Sequence, residues 1–303
     1  MRGVSLKVGW DRPSPRSAQE MLSCAMTQRG ASKTALSVAA LRAAHQLVDD
    51  EPKILDDPVA ARLLDANIVE VLRAAGGGVE APAVRALRSR VVLRSRYSED
   101  RLAEAVRRGV RQCVILGAGL DTFAYRQPDW AAGLRVFEVD HQASQDDKRT
   151  RLRRGGVAIP PNLKFVAIDF ETVSLRDGLL ASALDFSQPA FFSCLGVLVY
   201  LTTEAVDAIF ELVAGFPPGS EIAFTFPPPG ATRSAMAERT GQAGEPWRFE
   251  IDVEGLERKL GALGFSEVDF LSPQYAGKAY FPEARADGLS APRQTSIAAA
   301  IVG

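Results

Sequence analysis

Two glycines and one aspartate have the spacing of a site that could bind a nucleoside. Gly117 and Gly119 directly follow the apolar run CVIL at residues 113–116. Such a run predicts a buried strand, and the glycines predict a tight turn that brings the backbone close to a ligand. A second apolar stretch, VFEVD, ends at Asp140, and its distance of 21 positions from Gly119 is close to the roughly 20 typical of a ribose-binding acid. Together these features predict the nucleotide-binding edge of an α/β sheet.

Position 122 decides which class of cofactor fits this edge. The dinucleotide fingerprint GxGxxG requires a third glycine there, and the sequence has Thr122. That glycine provides close helix–strand packing and approach to a pyrophosphate, so its absence disfavours a dinucleotide. A cofactor with ribose and adenine but no phosphates fits better, and S-adenosylmethionine is such a cofactor. A lone GxG is also typical of an ordinary turn, so the assignment depends on further motifs.

Four motifs in order resemble the class I S-adenosylmethionine-dependent methyltransferases of the leucine carboxyl methyltransferase-like group, and closely a bacterial branch of it. They are LGAGLDT at 116–122, FEVDH at 137–141, VAIDF at 166–170 and LGVLVYL at 195–201. The resemblance extends from about Ser32 to about Leu289. It implies a Rossmann-like α/β fold, with a mostly parallel seven-stranded sheet whose last strand is antiparallel, helices on both faces and an N-terminal helical cap. It implies S-adenosyl-L-methionine as the cofactor and does not define the acceptor.

The resemblance also implies which residues contact the cofactor. Those at the ends of the first three strands are Gly117, Ala118, Gly119, Asp140, Asp169 and Phe170. Asp140 is expected to contact the ribose. Asp169 would accept a hydrogen bond from the adenine amino group while the Phe170 ring packs on the base.

An arginine that precedes the glycine-rich strand completes this implied set. In the family it binds the cofactor's carboxylate, which a planar guanidinium does with two parallel hydrogen bonds. Arg94 and Arg96, followed by Asp100, both match the pattern. We select Arg96 and keep Arg94 as the alternative.

The composition limits the partners. With 36 basic and 37 acidic residues the net charge is −1, so no overall basic field would attract nucleic acid. The three cysteines suggest neither disulfides nor a metal site. The longest apolar stretch, 190–201, is interrupted by a serine and a glycine, and the first 30 residues lack a continuous apolar segment. We therefore expect a cytoplasmic protein with no membrane span.

The order of segments predicts a single methyltransferase domain over residues 1–303. Residues 1–31 are expected to be a loose arm, and 32–108 a helical cap leading into the core. This cap would contain a helix from 32 to 47, a second from Pro58 to about Ala75 capped by the preceding aspartates, and a third from 84 to 108 with mostly solvated arginines. Residues 227–250 are expected to be an insertion beside the acceptor site.

The reaction itself leaves the catalytic residues unknown. Methyl transfer from a sulfonium needs mainly alignment, and no metal. A carboxylate acceptor is already nucleophilic, whereas a hydroxyl acceptor requires a general base. We predict O-methylation of a small molecule or a carboxylate, although Leu195 replaces a glutamate that many family members have, which weakens transfer of a protein-carboxyl-methylating activity. The alternatives are a non-catalytic S-adenosylmethionine-binding module and a nucleotide-dependent oxidoreductase.

Overall fold

Seven strands form one mixed sheet in the computed structural model, which describes residues 33–74, 81–170, 174–281 and 285–303. The strand order is β3-β2-β1-β4-β5-β7-β6. Strands β1 to β5 are parallel, and β7 is antiparallel to both of its neighbours. The strands are β1 (Gln112–Leu116), β2 (Arg135–Asp140), β3 (Leu163–Ala167), β4 (Phe191–Cys194), β5 (Glu221–Thr225), β6 (Phe265–Phe270) and β7 (Ile297–Val302). The predicted Rossmann-like sheet is confirmed, whereas the predicted N-terminal arm lies outside the described residues.

Nine α-helices accompany this sheet within the described ranges. They are α1 (Lys33–Val48), α2 (Ala66–Ala74), α3 (Pro82–Arg107), α4 (Gln142–Arg154), α5 (Leu175–Leu180), α6 (Thr203–Ala214), α7 (Ala235–Gln242), α8 (Val253–Ala262) and α9 (Pro273–Tyr280). None of these described helices is long and apolar enough to cross a membrane. The sequence analysis did not anticipate α9, although Ser272 caps it and Pro273 begins it, which are recognisable start signals.

Strand β1 lies at the centre of the core and is buried on both faces. Val114 and Leu116 belong to one apolar cluster, while Cys113 and Ile115 belong to another on the opposite face. Alternate residues of a strand point to opposite faces, and parallel sheets carry helices on both. This explains why β1 is continuously apolar in sequence, and it fixes the position of the glycines that follow it.

The predicted helix from Pro58 to Ala75 is wrong, because two separate elements occupy this segment. A 3₁₀ turn covers Ala60–Leu63, and α2 begins only at Ala66. Leu64 between them has extended backbone angles, which interrupts helical hydrogen bonding. The aspartate does cap: the Asp57 carboxylate accepts the Ala60 N–H at 3.0 Å. It caps a short turn, however, and its side chain is fully buried.

Among the arginines of this segment that were expected to be solvated, Arg88 is buried and Arg101 partly buried, whereas Arg108 just after α3 is exposed. Arg88 is 1% exposed and donates to Asp49 at 2.6 and 2.7 Å. Arg101 and Arg108 both pair with Glu221, which is fully buried at the start of β5. Buried charges require partners, and these partners are distant in sequence, so composition alone could not reveal them.

A buried ion pair joins β2 to α4. Glu138 of β2 and Lys148 of α4 are at most 1% exposed, with Nζ and Oε2 separated by 2.8 Å, and the Tyr125 hydroxyl donates to Glu138 at 3.0 Å. The predicted solvated face at 148–154 is therefore wrong for Lys148, and for Arg151, which is 4% exposed. Burial raises the pKa of Glu138 to about 7, although Lys148 opposes the shift.

This pKa predicts a pH dependence of stability. Between about pH 4.5 and pH 7 the folded protein binds the Glu138 proton more tightly than the unfolded chain, so the stability from this group falls as pH rises through that window. The free energy of unfolding of wild type, relative to Glu138→Gln, should decrease by about 2 kcal/mol between pH 5 and pH 8. Urea unfolding across this range measures it. A difference that is constant or increases toward pH 8 contradicts the assignment.

Candidate functional site

The glycine turn, residues 117–119, follows β1 in close contact with two other segments. Gly117 and Gly119 have φ of +62° and +42°, a region that side chains rarely adopt. A Cβ at Gly117 would lie 2.4 Å from Val197 Cγ2, and one at Gly119 would lie 3.3 Å from the Cβ of Ala35 in α1. Glycine is therefore required for conformation and for space. Such a turn lets a ligand approach the backbone closely, although the Ala118 N–H donates to the Val139 carbonyl at 3.0 Å.

Asp140 holds this turn from the end of β2. Its two carboxylate oxygens accept the Gly119 N–H at 2.6 Å and the His141 N–H at 2.7 Å. An ionised carboxylate has about four acceptor positions, so two remain. Because Asp140 is partly exposed, these positions can accept hydrogen bonds from the hydroxyls of a ligand beside the turn.

Asp169 and Phe170 lie next to this aspartate because β3 pairs with β2. The Ile168 N–H donates to the Asp140 carbonyl at 3.0 Å, which places the residues that follow at the same edge of the sheet. Phe170 is partly buried and packs against the apolar cluster that contains Val114 and Leu116. The structure thus brings together six of the seven residues selected from the sequence: Gly117, Ala118, Gly119, Asp140, Asp169 and Phe170.

The seventh residue, Arg96, is not part of this group. Its Nε donates to Asp100 at 3.1 Å on the same helix, and its side chain is 46% exposed. Asp100 in turn contacts the Tyr280 hydroxyl of α9. Arg96 therefore faces α9, away from the glycine turn.

Arg94 faces the site instead. Gly196 follows β4 and has φ of +74°, and a Cβ added there would lie only 2.7 Å from Nη1 of Arg94. Arg94 makes no hydrogen bond or ion pair within the described ranges. Burial, and next the positive charge of Arg42, lower its pKa to about 10. The negative charge of Asp121 opposes this shift, so Arg94 remains a cation at neutral pH and can bind an anion at this edge.

Sequence comparison assigns the chain to a family. The sequence model described as leucine carboxyl methyltransferase matches residues 35–214, which include the turn, Asp140, Asp169 and Arg94. The chain belongs to this family.

Curated relatives agree with the assignment. The Bacillus subtilis protein named "Putative S-adenosyl-L-methionine-dependent methyltransferase YktD" is 36% identical over 207 residues, covering 65% of this chain and 67% of that protein. A Mycobacterium marinum protein of the same description is 37% identical over 239 residues, covering 74% and 75%. The crystal structure described as that of a "putative methyltransferase from Thermobifida fusca YX" shares the fold, with a TM-score of 0.52. The two sequences are 20% identical, and the match covers 87% of this chain and 92% of that one.

This leucine carboxyl methyltransferase family member uses S-adenosyl-L-methionine, and its site fits that cofactor. The turn brings bare backbone to this edge of the sheet, because side chains at positions 117 and 119 would meet Val197 and Ala35. Asp140 offers acceptors suited to ribose hydroxyls, and Arg94 offers a guanidinium suited to the methionyl carboxylate. Thr122 in place of a third glycine is consistent with a cofactor that lacks a pyrophosphate.

A second group of residues joins the segment after β4 to α1 and to the predicted insertion at 227–250, and the sequence analysis did not assign its members Tyr200 and Thr34. Tyr200 follows β4, and its hydroxyl lies close to the Thr34 hydroxyl of α1 and the Trp247 indole. Both Thr34 donors, its N–H at 3.3 Å and its hydroxyl, bond to Glu245. The Arg248 N–H donates to the Val199 carbonyl at 2.8 Å and fixes this segment to the β4 exit. The LGVLVYL motif contained Tyr200, but gave no indication of these partners.

Both histidines of the chain have structural roles. His45 is buried, contacts Asp49 at 2.8 Å through Nδ1, and accepts the Ile54 N–H at 3.1 Å through Nε2. His141 caps α4 by accepting the Ala143 N–H at 3.1 Å. Neither imidazole is free to act as a general base at the glycine turn.

The two arginines of α3 provide a matched pair of variants. Arg94→Lys should weaken S-adenosylhomocysteine binding by about 1.5 to 3 kcal/mol, because a compact ammonium cannot make the paired planar contact to a carboxylate. Arg96→Lys, which is exposed and paired with Asp100, should bind like wild type. Isothermal titration calorimetry measures both. A silent Arg94→Lys beside a damaging Arg96→Lys would return the role to Arg96.

Proposed function

We propose that this methyltransferase transfers the methyl group to a carboxylate oxygen of a small molecule. The observation that carries the proposal is that both histidines are engaged elsewhere, so the site offers no free imidazole base. A carboxylate is ionised and nucleophilic at neutral pH, whereas an alcohol must lose a proton to react. The chemistry that the site can perform therefore favours an acceptor that needs no deprotonation.

Tyr200 has the properties of a group that orients such an acceptor. Burial raises the pKa of Tyr200. The Thr34 hydroxyl and the Trp247 indole oppose this shift, because they favour the ionised form. The phenol thus stays protonated near neutral pH and can donate a hydrogen bond to one oxygen of a carboxylate. The other oxygen would then be directed at the methyl group that the bound cofactor supplies on its sulfonium. Alignment of this kind contributes up to roughly 7 to 11 kcal/mol to such displacements.

The insertion at residues 227–250 supports a small acceptor. Its contacts with Thr34 and Val199 connect α1 to the exit of β4 across the mouth of the site. Trp247 is partly buried there and Phe249 fully buried, which supplies apolar lining. Acceptor pockets of this type enclose a small ligand with apolar walls and a few polar groups. The balanced charge of the chain also disfavours a nucleic acid.

Glu245 favours a second candidate, methylation of a phenol or alcohol. Its carboxylate lies beside the Thr34 hydroxyl and increases the pKa of Tyr200 through its negative charge, so it is close to the same space. A carboxylate so placed could remove a proton from a hydroxyl acceptor. The two candidates differ in whether turnover requires this carboxylate.

The stability of the product toward alkali distinguishes the two candidates. Methyl-labelled S-adenosylmethionine would be incubated with the enzyme and pools of small carboxylic acids or of matched alcohols and phenols. We expect label from the acid pool that mild alkali releases as methanol, because methyl esters hydrolyse and methyl ethers do not. Glu245→Gln should retain most of this turnover, with wild-type enzyme as the reference. Alkali-stable label that Glu245→Gln abolishes contradicts the proposal, and cofactor binding without turnover on either pool favours a binding module.

A further inference from the structure

Thr122 occupies the position where the dinucleotide fingerprint has its third glycine, and its side chain has a defined partner. The residue is 1% exposed, and its hydroxyl donates to Asp57 Oδ2 at 2.7 Å. Asp57 lies 65 positions earlier in the chain and is completely buried. A buried hydrogen bond to a carboxylate contributes more than a neutral one, because the acceptor carries a charge.

Asp57 connects this threonine to the cap helix α1. Arg42 of α1 donates to Asp57 Oδ2 at 3.1 Å through Nε, and its Nη2 donates to the carbonyl of Leu120, next to the glycine turn. Arg42 is 5% exposed. One buried carboxylate and one buried guanidinium therefore tie α1 to both ends of the segment 120–122.

Arg126 joins the network from the other side. Its Nε lies 3.4 Å from Asp57 Oδ1 and donates to the Thr122 hydroxyl at 3.2 Å. Its Nη1 donates to Glu99 at 2.9 Å, on the same helix α3 that carries Arg94. Thr122 is thus the point at which the cap, the turn and the arginine-bearing helix meet.

We propose that Thr122 and Asp57 are positioning residues that set the distance between the cap helix and the glycine turn. Neither residue belongs to the cofactor-contacting set, and the inference rests on the turn being the cofactor site. Ala35 of α1 lies within 3.3 Å of a Cβ at Gly119, so a small displacement of α1 changes the space above the turn. The Thr122 hydroxyl holds that spacing, which a glycine at this position could not do.

The test compares threonine with its isostere and with its conservative replacement. Thr122→Val keeps the shape of the side chain and loses the hydroxyl. Its dissociation constant for S-adenosylhomocysteine, measured by calorimetry, should be at least about fivefold higher than that of wild type. Thr122→Ser keeps the hydroxyl and should restore binding close to wild type. In ligand-free protein, hydrogen exchange of the amides at 117–121 should accelerate in Thr122→Val and not in Thr122→Ser. If Thr122→Val is unstable, Thr122→Ala provides the same measurements, because it also lacks the hydroxyl and keeps the Asp57 charge that pairs with Arg42 and Arg126.

Two controls separate the possible failures. Thr295→Val removes another buried threonine hydroxyl, which donates to the Leu271 carbonyl far along the chain, and should lower stability without changing binding. Asp140→Ala tests the site itself and should weaken binding. Loss of binding in Asp140→Ala together with wild-type binding and exchange in Thr122→Val overturns the positioning role. Unchanged binding in Asp140→Ala means that the cofactor site was misplaced, and it overturns the premise on which this inference rests.

Discussion

The close approach of backbone segments at the carboxyl ends of β1 and β4 is the constraint on which the rest of the site depends. A Cβ at Gly117 would overlap Val197, and one at Gly196 would overlap the Arg94 guanidinium. These contacts leave an edge where a ligand meets bare backbone on one side and, on the other, a guanidinium that has no ion pair within the described part of the chain. The sheet order then brings Asp140 and the end of β3 to the same edge.

The arginines Arg42, Arg126 and Arg94 near this edge differ in their partners among the described residues. Arg42 and Arg126 both contact the buried Asp57, and this pairing offsets the cost of burying them. Arg94 lacks such a partner among the described residues, and the charge of Arg42 lowers its pKa further. A bound anion would offset the repulsion between Arg42 and Arg94.

The family resemblance implied the fold, and local patterns predicted the first strand and the turn because each of these patterns lies within a few consecutive residues. The run at 113–116, the two glycines and Asp140 gave the strand, the turn and the acid at the right places. The choice between Arg94 and Arg96 depended instead on the rotation of α3 against the sheet. Residues that are two positions apart on a helix point to nearly opposite sides, so the local sequence could not decide between them. The burial of Lys148 could not be predicted either, because its partner Glu138 lies on another element. The role of Thr122 required Asp57, which is distant in sequence.

A crystal structure of the protein with S-adenosylhomocysteine tests the central claim most directly, which is that the glycine turn, Asp140 and Arg94 form the cofactor site. The account predicts the ribose hydroxyls within hydrogen-bonding distance of the Asp140 carboxylate and the homocysteine carboxylate on the Arg94 guanidinium, with the ligand backbone against Gly117 and Gly119. A ligand whose carboxylate is bound by Arg96 between α3 and α9, or whose ribose makes no contact with Asp140, would contradict it.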